Sequence, residues 1–429
     1  MLAFVLGCVV PAFLLSVVCT ALLCRWAPTW GLVDHPGPRK VHEQATPMGG
    51  GVALWVSVVT PLAIASLLAA DMLPGLSLET LLPSQIAAEL DLSQLAPRLS
   101  LLWRILAGAT LLAVVGLIDD FRNLSWKPRL AVQVLVAVGL VLGGVRGTLF
   151  VPGPLVGGAV TVLWILVLVN AFNFLDNMDG LSAGIALIAA SLFALVLLVG
   201  TPRPHWLVAG VLLVLAGALA GFLCHNRPPA RIFLGDAGSY FIGCLLATLT
   251  VVGTFYEADP TATTATTATT AATAATDGRH VMLAPLFILA IPLYDFTSVM
   301  LIRLWRGHSP FQADKNHFSH RLVELGLSRR NAVLTVHLAT LMTGLGGVLL
   351  YHVADWSAAL LIVALIACIL AVIAILETVA RTAQTTSSPD TTPAPTPAPT
   401  PAPTPAPTPA PSPTSADDAS EVGGGGPHA

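Results

Sequence analysis

Five carboxylates interrupt long apolar runs: Asp119 and Asp120 in GLIDDF, Asp176 and Asp179 in NFLDNMDGL, and Asp236 in IFLGDAGS. Charge within or beside a membrane span is costly and is retained where it binds or reacts with something. Grouped carboxylates suit a divalent cation, and a divalent cation suits phosphate. The chemistry these residues predict is work on phosphates at a membrane face.

Each cluster adds detail. Asp119 and Asp120 are neighbours at a helix end, where successive side chains point roughly 100° apart. One is expected to hold a metal or basic group while the other turns to a second partner. Asn170, Asn173, Asp176 and Asp179 recur every three residues, which on a helix would make one polar stripe, and Gly180 then allows a turn. In Phe233-Leu-Gly-Asp236-Ala-Gly-Ser239, glycines flank the carboxylate and let backbone approach an anionic ligand at a helix start, while Phe233 offers a ring face to a base. A basic loop follows with Asp314, Lys315, His317, His320 and Arg321, residues suited to phosphate binding and proton transfer. Asp295, in IPLYDF inside an apolar run, reads either as functional or as paired with a neighbouring helix.

The elements that carry these groups follow from composition. The chain has 429 residues, 55% hydrophobic and 10% charged, with mean hydropathy +0.80, against about 25% charged in soluble domains. An all-α, polytopic membrane protein embedded in the bilayer is predicted. With ~20 apolar residues per crossing, about 11 helices are expected, near 3–24, 48–70, 101–118, 129–146, 149–170, 180–200, 206–224, 239–256, 281–303, 332–352 and 355–377. The odd count puts the termini on opposite sides. With the loop holding Arg25, Arg39 and Lys40 inside, the cytoplasmic face carries fifteen of the 20 Lys and Arg residues, so the amino terminus is expected outside and the carboxyl terminus in the cytoplasm. All the acidic clusters then fall on the cytoplasmic face, as do DHPGPRKVHEQATPMGGG and the histidine loop. That convergence is independent of the span count and predicts one composite site there.

Two domains are expected: residues 1–380 in the membrane, and residues 381–429 as a disordered Pro/Thr/Ala-rich cytoplasmic tail of TPAP-type repeats. Thr261 to Thr276 is a second low-complexity stretch. The six cysteines lie in or beside apolar segments without metal-type spacing. No basic stripe interleaved with aromatics supports nucleic-acid binding.

In order along residues 30 to 330, the segments DHPGPRKVHEQATPMGGG, GLIDDF, NAFNFLDNMDGLSAG, IFLGDAGS, PLYDF and SPFQADKNHFSHRL resemble the polyprenyl-phosphate N-acetylhexosamine-1-phosphate transferase superfamily, glycosyltransferase family 4. The resemblance implies transfer of a sugar-1-phosphate from a UDP-sugar to a polyprenyl (undecaprenyl) phosphate with release of UMP, the first membrane step of a cell-envelope glycan, in a bacterial inner membrane. It implies Mg2+, with Mn2+ as a substitute, and admits a homodimer. By the same resemblance Asp119, Asp120 and His317 are catalytic, and Asp236 with Asp120 holds the metal. Lys40, Asn173, Asp176, Asp179, Phe233, His320 and Arg321 bind substrate, Phe233 by stacking on uracil.

Two positions depart from the family patterns. The HxHH-like loop reads His317-Phe318-Ser319-His320, and the DGxDG turn reads Asp176-Asn177-Met178-Asp179-Gly180. The loop and RKVHEQATPMGGG are similar to the N-acetylglucosamine branch, so UDP-N-acetylglucosamine is the expected donor. The alternatives are phospho-MurNAc-pentapeptide translocase and, in a different class, a transporter with intramembrane carboxylates.

Overall fold

A computed structural model describes residues 1–34, 45–70, 72, 95–147, 154–201, 204–255, 278–307, 309 and 317–387. The chain divides into a compact unit, Met1–Thr382, and a second, Ala383–Ala429. Of the second, only residues 383–387 are described, as the end of a helix. The Pro/Thr tail, the Thr261–Thr276 stretch, Lys40, Asp314 and Lys315 lie outside the described residues.

The protein is all-α. Its helices are α1 (Leu2–Trp26), α2 (Gly50–Ala69), α3 (Leu95–Arg122), α4 (Trp126–Leu142), α5 (Pro154–Leu175), α6 (Leu181–Leu195, continued by a π turn Val196–Gly200) and α7 (Trp206–Asn226). They are followed by α8 (Gly235–Phe255), α9 (Ala284–Ile288), α10 (Ala290–Trp305), α11 (Phe318–Glu324), α12 (Arg329–Leu349) and α13 (Trp356–Ser387). Among the described residues nine helices are long and apolar enough to cross a membrane, and ten if α9 and α10 count as one bent span. The remaining expected segment is α4, whose 17 residues make it the shortest of the expected crossings.

Two boundaries differ from the sequence expectation. The fourth and fifth spans, drawn almost touching at Arg146, are separated because α4 ends at Leu142 before a Gly143-Gly144 turn and α5 begins only at Pro154. The ninth span, drawn as one helix over 281–303, breaks by 69° at Leu289. Pro292 explains the break: it has no N–H for the carbonyl of Ile288, and its ring crowds that carbonyl.

At the centre stands α8, the most enclosed of the crossing helices, packed on α3, α5 and α2. By contrast α1 and α13 keep most of their apolar surface outward, as expected for helices facing lipid. Their inward contacts are narrow. Ser16 of α1 donates to the Ala218 carbonyl at 2.6 Å, and α13 buries Ala359, Ile366, Ile373 and Glu377 along one stripe. The only strands among the described residues form a two-stranded antiparallel ladder, β1 (Val33–Asp34) with β2 (Thr46–Pro47), in register Val33 to Pro47 and Asp34 to Thr46.

Candidate active site

The site is built at one end of the bundle, where α3, α5, α7 and α10 finish and α4, α8 and α11 begin. Helix packing brings the first two clusters together. A side chain at Gly116 would lie 2.4 Å from the Asp236 carbonyl oxygen, so only glycine lets α3 reach the start of α8 this closely. One turn later Asp120 accepts hydrogen bonds from the amides of Asp236 (2.8 Å) and Ala237 (3.3 Å). Its carboxylate thereby satisfies the free N–H groups at the amino terminus of α8 and lies favourably in that helix's field. Gly235 has φ +72°, and a Cβ there would stand 2.6 Å from Asp120 Oδ2.

Asp119 turns elsewhere, as the 100° rule requires. It is 5% exposed, accepts from the Leu124 amide at 2.6 Å, and pairs with Arg129 of α4. The same guanidinium reaches Asp236 Oδ2 at 3.2 Å, while Asn173 donates to Asp236 Oδ1 at 2.6 Å and to Ser239 Oγ at 3.2 Å. Four helices, α3, α4, α5 and α8, thus meet around Asp236.

The expected stripe from Asn170 to Asp179 is only half helical. Asn170 and Asn173 lie on α5, which ends at Leu175, and Asp176 and Asp179 sit on the turn that follows. Gly180 closes that turn with φ +72°, so the three-residue spacing does not continue as one face. Asn170 donates to Gln133 of α4 at 2.7 Å. Asp179 accepts from the Ala230 amide at 2.9 Å and ties the turn to the segment carrying Phe233. Asn226 joins the same two segments, accepting from Gly180 N at 2.9 Å and donating to the Ile232 carbonyl at 2.8 Å. The Asp176 carboxyl is pushed up to about 7, first by burial, then by the charge of Asp120, with the Gly235 amide opposing and Asp179 adding a smaller push.

Two further segments complete the site. The sequence around β2 is stitched onto the Phe233 segment: Phe233 N donates to Pro47 O (2.9 Å), Gly50 N to Phe233 O (3.0 Å) and Gly51 N to Leu234 O (2.9 Å). From the histidine loop, His317 is 6% exposed. Its Nδ1 lies 2.9 Å from Asp295 Oδ2, and Phe318 N donates to Asp295 Oδ1 at 2.7 Å. Asp295 is fully buried, so of its two sequence readings the structure supplies a pairing, with the histidine loop as its partner. The carboxylate fixes one imidazole nitrogen and leaves Nε2 for another group. His317 and His320 have ring centroids 6.3 Å apart.

Arg321 differs from its expectation as a clamp open to phosphate. It is 2% exposed and paired with Glu377 of α13, which also accepts from the Tyr294 hydroxyl at 2.9 Å. The guanidinium is drawn inward because a buried carboxylate needs a partner. Arg129, Glu377 and Tyr294 were not singled out in the sequence. Glu377 had a signal, as an acid within the last apolar run, whereas Arg129 was only one of many basic residues at helix ends. Beyond Gly180 lies a cavity of about 520 Å³ whose lining includes Arg227, Arg231, Arg330, His225 and His337.

Among the described residues no three His, Cys, Asp or Glu side chains close around a point that could hold a metal unaided. Magnesium does not need such a cage, since it is held by one or two carboxylates together with water and substrate phosphate. Burial first, and then the charge of Asp120, pushes the Asp176 carboxyl up, and a cation bound beside Asp120 would offset that repulsion. The residues present therefore fit a cation whose coordination is completed by a phosphate.

Comparison with known proteins agrees with this architecture. Residues 102–254 match the model of glycosyl transferase family 4. The chain is 29% identical to a Bacillus subtilis protein named probable undecaprenyl-phosphate N-acetylglucosaminyl 1-phosphate transferase, over 83% of this chain and 89% of the relative. It is 32% identical to the decaprenyl-phosphate N-acetylglucosaminephosphotransferase of Mycolicibacterium smegmatis, over 72% and 73%. It is 26% identical to the undecaprenyl-phosphate alpha-N-acetylglucosaminyl 1-phosphate transferase of Escherichia coli K12, over 76% and 79%. With an enclosed carboxylate centre assembled from the same ordered segments, and relatives aligned along most of its length, the chain belongs to glycosyl transferase family 4, in its polyprenyl-phosphate N-acetylglucosamine-1-phosphate transferase branch.

Proposed function

We propose that this protein transfers N-acetylglucosamine-1-phosphate from UDP-N-acetylglucosamine to a polyprenyl phosphate and releases UMP. The observation that carries this reading is the meeting of Asp119, Asp120, Asn173, Asp176 and Asp236 at one end of a membrane helix bundle. The relatives' names supply the sugar and the lipid. The positive-inside distribution supports an inner-membrane orientation with this end in the cytoplasm, the amino terminus outside and the carboxyl terminus inside. The nucleotide then arrives from water and the lipid phosphate from the bilayer.

The reaction must bring two anionic phosphates together, so positioning and charge stabilisation are what the protein has to supply. Asp236 with Asp120 would hold Mg2+, and Asp176 stands close enough to Asp120 to feel its charge. Bound there, the ion would offset phosphate repulsion and stabilise the departing UMP. Asp120 orients the start of α8 through its two amide bonds, and Asp119 aims Arg129 at Asp236. Asn173 fixes the rotamer of Asp236 from the other side. His317, held by Asp295, keeps Nε2 for a proton or phosphate oxygen, with His320 beside it. Phe233 would stack on uracil, and the cationic cavity beyond Gly180 would draw the anionic donor toward the turn of Asp176 and Asp179. Arg321 acts through its pair with Glu377, anchoring the histidine loop to α13.

The test is UMP release by purified protein with undecaprenyl phosphate, Mg2+ and either UDP-GlcNAc or UDP-MurNAc-pentapeptide. UMP from the first donor only, lost on chelation and in Asp236→Asn, is expected. Release from the second donor only would move the protein to the peptidoglycan translocase reaction.

A further inference from the structure

The two positions at which the sequence departs from the family patterns meet in space. Asn177 stands where the turn pattern has glycine, and Ser319 stands where the loop pattern has histidine. They are 142 residues apart, yet Ser319 Oγ donates to Asn177 Oδ1 at 2.7 Å. The Asn177 amide is fixed at its other end as well, because Nδ2 donates to the Phe174 carbonyl at 2.8 Å. With the NH2 committed to a carbonyl, the oxygen must accept, and serine supplies the proton. Ser319 is 2% exposed and its hydroxyl already touches the Asn177 amide, so a larger side chain here would have to displace its neighbours.

We propose that Asn177 and Ser319 are a matched pair of positioning residues that latch the histidine loop onto the turn bearing Asp176. Each substitution is intelligible only with the other: the smaller loop residue makes space for the larger turn residue, and the new amide finds its hydrogen bond. The latch complements the grip of Asp295 on His317 and Phe318. Those contacts fix the loop to α10, whereas Asn177 fixes it to the carboxylate turn. Phe174, whose carbonyl anchors Asn177, also packs edge-on against His317 with ring centroids 5.8 Å apart. The turn and the imidazole therefore share one support.

The pair rests on the transferase reading only for its activity readout. With full-length protein in detergent, Ser319→Ala and Asn177→Ala are each expected to slow UMP release by about fivefold, the cost of stranding one hydrogen-bonding partner. The KM for UDP-GlcNAc should stay within about twofold, since the hydroxyl and the amide are taken up by each other and by the Phe174 carbonyl. The double variant should be no slower than the slower single, and Ser319→Thr, which keeps the hydroxyl, should restore most of the rate. Ser319→His alone should lose more than about tenfold, and adding Asn177→Gly should recover most of that loss. Amide hydrogen exchange across Phe318–Glu324 gives a second readout that needs no substrate. Each alanine single should speed it, and the double no further. Rates that multiply in the double, with exchange that does the same, would overturn the latch. So would a Ser319→His protein with parental rate and exchange. If the parent releases no UMP from UDP-GlcNAc, the donor reading fails and the exchange cycle alone decides the latch.

Discussion

The two ends of the helix bundle solve the same problem differently. Both contain helix termini with unsatisfied backbone groups and polar side chains at the edge of an apolar slab. At the end near Val145, Thr161 and Tyr351, several of the described polar groups are satisfied within their own helix or turn, and the longer reaches, from Arg104 to the Gly143 carbonyl and from His280 to the Val353 carbonyl, end on backbone. Arg146 donates to Val141 O, Thr161 to Gly157 O, and Asp355 caps its own helix through Ser357 and Ala358. At the other end, side chains reach across the chain: Asn173 to Asp236, Asp236 N to Asp120, Ser319 to Asn177, His317 to Asp295, and Arg321 to Glu377. Local bonds suffice to end a helix. Long-range side-chain pairs cost ordering entropy and desolvation, so their concentration at one end identifies where geometry matters for chemistry.

That contrast can be broken experimentally. The largest loss belongs to Asp236→Asn, which removes a charge that Arg129 and Asn173 both address. UMP release should fall by about 10²–10³-fold in protein whose far-UV circular dichroism is unchanged. Asp295→Asn comes next, because it disturbs the partner of both His317 Nδ1 and the Phe318 amide. Its kcat should drop by about 10²-fold.

Glu377→Gln tests a structural long-range pair. It leaves the Arg321 guanidinium buried without its carboxylate, and stability in detergent should fall by about 3 kcal/mol, read as a lowered unfolding midpoint.

Chelation sharpens the comparison through Asp176. Its carboxyl titrates at about 7 in the folded protein, above the roughly 3.9 of an unfolded chain. Between those values the folded state binds more protons than the unfolded state, so in EDTA stability should decline as pH rises through this window. Added Mg2+ should raise the unfolding midpoint more at about pH 8 than at about pH 5, and Asp176→Asn should shrink that difference.

The smallest effect lies at the opposite end. The amide of Ala358, then the hydroxyl of Ser357, hold the Asp355 carboxyl below its ordinary range. Its stabilising contribution is present above the unfolded carboxylate value and is lost as pH falls through the lower folded one. Asp355→Asn should leave UMP release unchanged. Its slight deficit in unfolding midpoint should begin to shrink as pH falls below about 4 and vanish below the depressed folded value. A large effect here would dissolve the distinction between the two ends.

Much of the architecture was legible because lipid imposes a simple rule: spans must be long and apolar, and charges must lie at their ends. The helices carrying Asp119, Asn173, Asp236 and Asp295 follow from that rule, as does the shared face of their clusters. The break at Leu289 was partly legible from Pro292. The non-helical course of Asp176 to Asp179 was not, since periodic spacing continues in a sequence whether or not the helix does.

The sequence by itself determined the all-α membrane class, the identity of the reactive groups and the end of the bundle at which they gather. Those features depend on local hydropathy and residue type. Only the tertiary structure decided which group holds which: Asp120 on the start of α8, Arg129 shared between Asp119 and Asp236, Asp295 behind His317, Arg321 turned inward to Glu377, and Asn177 facing Ser319. Pairing across 10 to 142 residues depends on helix packing and on the cost of leaving a buried polar group alone, and neither is written in the spacing of one chain.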